Sequence, residues 1–143
     1  MSPMKLDFKI LPEHGLIVEV LSGRISGNDL IEFKKRVMAE KEYQYHFDVL
    51  VDLRKVQFAS VEDIVDTFFG FYKHYFQFMG NKKSAYITRM PLQVAIMTLY
   101  GERIKSTPMD IRIFSTPEAA VKWLDLSTRS ESFYQEVILS LPT

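Results

Sequence analysis

Two periods divide this chain. Apolar side chains recur at every second position, or run unbroken for a few residues, in some stretches, and follow a 3.6-residue spacing in others. Lys5 to Leu11 and Leu16 to Leu21 read as strands on either side of Pro12-Glu13-His14-Gly15, whose proline and glycine suit a tight turn, so the two are expected to pair as a hairpin. Ser26 and Asp29 then make a helix-start pair, with Ile25 and Leu30 placed as a hydrophobic staple. Leu30, Phe33 and Val37 carry the apolar face of that helix to about Glu42, and the other face, with Lys34, Lys35 and Glu40, reads as solvated.

Phe47, Val49, Leu50, Val51 and Leu53 follow, the pattern of a strand covered on both faces. A short loop leads to Ser60, three residues before Asp63, so the serine hydroxyl is placed to accept from a first-turn amide and a helix is predicted from Val61 to Met79. Gly80-Asn81-Lys82-Lys83 breaks that pattern before a short strand at Ser84 to Thr88. Pro91 suits the first position of the next helix, whose apolar face is read as Leu92, Ala95, Ile96, Leu99 and Ile104. Asp110 to Phe114 is a last strand, and Ser115-Thr116-Pro117-Glu118 opens a helix through Trp123 and Leu124.

Beyond it, Phe133, Tyr134, Val137, Ile138 and Leu141 recur at helical spacing. The reading is therefore one α/β domain, residues 1–126, with element order ββαβαβαβα, a mixed sheet with helices packed on it, and a C-terminal helical tail at 127–143.

Charge and composition narrow the function classes. Eighteen basic residues balance eighteen acidic ones, which argues against nucleic acid as the partner. The absence of cysteine removes thiol chemistry and thiolate zinc sites. No apolar run approaches the roughly 18 residues of a membrane span, and the N-terminus lacks the apolar core of a signal peptide, so a soluble, cytoplasmic protein is expected.

The element order, together with Asp52-Leu53, Val56 and Phe58 ahead of a helix start, resembles the anti-sigma-factor antagonist fold, the STAS superfamily, and within it the SpoIIAA-like family of small stand-alone proteins. In that family the helix opens with Asp-Ser-Ser-Gly, and one of the serines is phosphorylated to switch partner binding. The resemblance places Ser60 on the aspartate, Val61 and Glu62 on the two serines, and Asp63 on the glycine. The phosphoacceptor hydroxyl is thus missing from its expected positions. Glu62 either holds a fixed negative charge there or is simply favourable in a first helical turn. What the resemblance implies is a binding protein rather than a catalyst.

Seven of the eleven residues from Phe68 to Phe78 are aromatic. Val61, Ile64, Val65, Phe68, Tyr72, Tyr75 and Met79 follow the period of a face against the sheet, whereas Phe69, Phe71, Phe76 and Phe78 do not. Those four are the candidate binding residues, with coverage by the chain itself, by a second copy or by an apolar ligand left open. His14, His46 and His74 have no metal-binding spacing, and neither a nucleophile elbow nor a phosphate loop is present, so no catalytic residue, metal or cofactor is assigned. Arg89, just before Pro91, is a candidate anion contact at a helix start. The expected function is non-catalytic binding or regulation through protein–protein contacts, with self-association as a homodimer. The alternative is a carrier of a lipid or other apolar small molecule.

Overall fold

The computed structural model describes residues 3–75, 78 and 81–124. Strands β1 (Lys5–Leu11) and β2 (Leu16–Ile25) form the antiparallel hairpin, joined by a 3-10 turn over Pro12–His14. Gly15 closes that turn at φ 59°, a left-handed conformation that glycine adopts without a Cβ penalty. Then come α1 (Gly27–Met38), β3 (Asp48–Phe58), α2 (Val61–Tyr72), β4 (Lys82–Ile87), α3 (Pro91–Arg103), β5 (Met109–Phe114) and α4 (Pro117–Leu124). The expected order ββαβαβαβα is the observed one; the tail at 127–143 lies outside the described residues.

The sheet order is β1-β2-β3-β4-β5, and every pair after the hairpin is parallel. Because successive strands step in one direction, right-handed crossovers carry all three connecting helices to the same face. Leu30 of α1, Ile64 of α2 and Ile96 of α3 accordingly share one core with Ile17, Val51 and Tyr86 of the sheet. The other face is closed by α4, whose Ala120, Val121 and Leu124 pack on Val18, Leu50, Ala85 and Ile87.

Four local expectations are corrected. First, no loop follows Leu53. The strand continues to Phe58 through a bulge: Val20 pairs with Asp52 but Ser22 with Lys55, so β3 carries one extra residue. Core-facing positions change parity there, from Val49, Val51 and Leu53 to Val56 and Phe58. Gln93 of α3 serves the carbonyls the bulge frees: its Nε2 donates to Leu53 O at 2.8 Å and Val56 O at 2.9 Å, and its Oε1 accepts from the amides of Arg89 and Met90.

Second, Lys34 is not solvated. It is buried on α1 and donates to both carboxylate oxygens of Glu19, which projects from β2 into the main core. Third, the buried face of α3 is Gln93, Ile96, Met97 and Tyr100, while Leu92, Ala95 and Leu99 are exposed. Fourth, the regular helix α2 ends at Tyr72 rather than Met79.

Candidate functional site

The start of α2 is held by its own side chains. Ser60 is the N-cap and accepts from the Asp63 amide at 3.4 Å. Asp63 accepts from the Gly27 amide at 3.0 Å through Oδ2 and from the Thr67 hydroxyl at 3.1 Å through Oδ1, so one carboxylate ties the first turn of α1 to that of α2. Gly27 is needed for this closeness, since a Cβ there would stand 2.9 Å from Thr67 Cβ. Among the described residues no such side-chain bond involves Val61 or Glu62, and Glu62 is exposed.

Glu62 instead lines an open groove of about 250 Å³ between α2 and α3, with Val61, Val65, Asp66, Leu99 and Arg103. Arg103 crosses it to pair with Asp66, and its guanidinium lies 5.8 Å from the Phe69 ring. Leu92 and Leu99, each 50% exposed, continue the apolar surface along the flank of α3 beside this groove, while Met90 at the helix start and Val94, about half a turn round the helix, are exposed elsewhere. Such helices, apolar on both sides, normally have a partner on the outer one.

The aromatic stretch is largely enclosed by the chain. Phe69 and Phe71 are partly buried against the main core, and Phe71 packs its ring 5.2 Å from Tyr75. Phe78 is exposed but lies 5.7 Å from Tyr45, which also stacks with Tyr75. Phe76 lies outside the described residues. Arg89 is exposed at the start of α3, where its own amide and that of Met90 already donate to Gln93.

Beneath α1 and α2 the apolar core encloses the Glu19–Lys34 ion pair. A cavity of about 30 Å³, lined by Glu19, Lys34, Phe68, Tyr86, Met97 and Tyr100 among others, has room for two or three water molecules at the roughly 10–15 Å³ each requires. The Tyr100 hydroxyl, deeply buried, has no hydrogen-bond partner among the described residues. Burial pushes the Tyr43 and Tyr86 hydroxyls up to about 12 and those of Tyr72 and Tyr100 well above the usual tyrosine value. Burial also pushes the Lys82 ammonium down to about 8, and the Lys34 charge adds to this.

Neither a protein-family model nor a curated protein matches the chain. A solved structure does: an uncharacterised protein of the DUF3478 family with a SpoIIAA-like fold, from Shewanella loihica PV-4, superposes with a TM-score of 0.58 over 87% of this chain and 98% of that one. This chain has a SpoIIAA-like fold. Sequence identity to that protein is 13%, so the likeness concerns the fold, and its use must be read from the residues of this chain.

In this SpoIIAA-like fold, the position of the expected switch and the exposed apolar flank of α3 meet in one groove. From the sequence, Glu62 is legible only as a helix-start residue at the switch position, Leu99 reads as core, and neither Asp66 nor Arg103 is assigned to a site. The missed signal is in α3 itself: Leu92 and Leu99 beside Ile96, Met97 and Tyr100 are more apolar residues than one buried face of a helix holds. Among the described residues no helix is long and apolar enough to cross a membrane, and no group of three or more acidic, histidine or cysteine side chains is gathered for a metal.

Proposed function

We propose that this chain is a non-catalytic binding module, engaging an apolar segment of another protein along the α2–α3 groove without a phosphoserine switch at the start of α2. The observation that carries the reading is the exposed apolar flank of α3, Leu92 and Leu99, beside a groove with a charged rim of Glu62, Asp66 and Arg103. This combination, apolar centre and polar edge, is the anatomy of a protein interface. The polar groups at the helix starts support a structural rather than a catalytic part: Ser60, Asp63 and Gln93 are engaged in caps and cross-links. With carbon and oxygen at Val61 and Glu62 in place of a hydroxyl, affinity at this site is constitutive.

The carrier reading has one observation in its favour, a Tyr100 hydroxyl without a hydrogen-bond partner among the described residues, on a side chain that lines the core cavity with Glu19 and Lys34. At about 30 Å³ that cavity admits water rather than an acyl chain, so a carrier would have to part α2 from the sheet. Native mass spectrometry of freshly purified protein separates the two. The proposal expects chain masses free of small-molecule adducts; a retained apolar molecule of stoichiometric abundance overturns it in favour of the carrier.

A further inference from the structure

Strand β5 ends the sheet, and among the described residues only β4 pairs with it. The Lys82 amide donates to Pro108 O and the Thr88 amide to Phe114 O, so the even-numbered residues of β5 turn their backbone toward β4. By the alternation of a strand, Met109, Ile111 and Ile113 turn theirs toward the open edge. An edge of this kind is a template for another strand unless it is blocked. At the opposite edge of the sheet a block exists, because Arg36 Nη2 donates to Leu6 O at 2.8 Å.

We propose that a second copy of this chain pairs with β5 antiparallel, about a two-fold axis at Ile111. In that register Ile111 meets Ile111 of the second copy and Met109 meets Ile113, the residues whose backbone groups point outward, so they become the hydrogen-bonded pairs of the ladder. The intervening pairs are the close, non-hydrogen-bonded kind, and they set Asp110 opposite Arg112 twice over. Both side chains are exposed in the single chain, and Arg112 is already steadied with its guanidinium 5.2 Å from the Trp123 ring.

Charge selects this register over its neighbours. An axis at Asp110 would bring the two Asp110 carboxylates face to face, and an axis at Arg112 would do the same to the guanidinium groups. Only the Met109 amide has a competing partner, the Thr107 hydroxyl at 3.3 Å; the Ile111 ladder bonds and those from the Ile113 amide to the Met109 carbonyl need no such exchange. On the helix side, half-buried Ile111 and Ile113 border a groove of about 390 Å³ against α3, with Met97 and Gly101, which the same residues of the second copy would help to fill.

The pairing leaves the α2–α3 groove on the other flank of α3 open, so this inference and the proposed docking face stand or fall separately. The test is sedimentation of the intact chain across micromolar to submillimolar concentration, for the wild type, Asp110→Arg, Arg112→Asp and the double exchange. A dimer is expected in the wild type, with dissociation at least about tenfold easier in each single variant, as two attractive contacts become repulsive, and recovery in the double. Amide exchange at Ile111 and Ile113 of the wild-type chain, slowed at high concentration, reads the same contact without any substitution. A monomer throughout, a dimer indifferent to both single changes, or a double exchange that stays dissociated overturns the proposal.

Discussion

Glu19 lies in the run Leu16-Ile17-Val18-Glu19-Val20-Leu21, at a position that shares the main core with Ile17 and Leu21. A carboxylate there is tolerable only with a counter-charge, and Lys34 supplies it from the buried side of α1. Removing one partner leaves the other charge stranded, so Lys34→Met is expected to cost about 3–5 kcal/mol in urea unfolding, while Glu19→Leu combined with Lys34→Met recovers most of that loss. A single variant that unfolds like the wild type would show the pair to be solvated. Lys82 behaves differently, being 3% exposed with no ion pair among the described residues. Its ammonium titrates near 8 in the fold against 10.5 ordinarily, a penalty on the order of 3 kcal/mol at 1.36 per unit. Between those values the unfolded chain binds more protons than the folded one, so this contribution makes stability rise with pH from about 8 to 10. Above 10 the four buried tyrosines reverse the sign, because the unfolded chain loses protons the folded one retains. Lys82→Met is therefore expected to be the more stable protein at pH 7 and to lack the rise; a stability loss at pH 7 would contradict the assignment.

At the scale of elements, the strands and helices are legible wherever one period holds from end to end. The hairpin, the caps at Ser26 and Ser60 and the proline at the start of α3 all stand where the spacing puts them. The bulge in β3 is harder to see, because a change of parity between Leu53 and Val56 looks like the end of a strand when its partner is unknown. Its sequence trace is that Val56 and Phe58 resume alternation one step out of phase. Gln93 was illegible for a different reason: a polar residue in the first turn of a helix looks solvated until the carbonyls of the bulge are placed beneath it. Lys34 and the outer flank of α3 fail for the same cause. A helical period says which residues share a face, and only the sheet below says which face is turned inward.

At the scale of the molecule, the one-directional strand order gathers three helices on a single face, and that arrangement makes a surface groove between α2 and α3 while, among the described residues, α4 closes the other side. The residues of the groove come from elements far apart in the chain, which is why the candidate site was only partly legible: Glu62 by its place at a helix start, Leu99 and Arg103 not at all. The central claim is that this face, and not the opposite one, meets another protein. It is tested most directly by placing a photoreactive phenylalanine at Leu92 or Leu99 on α3, and at exposed Glu118 on α4, and crosslinking in the cell. The account predicts discrete adducts with a different protein from the two α3 positions, weakened by Arg103→Glu, and none from Glu118. The same adducts from Glu118, or none from α3, would contradict it.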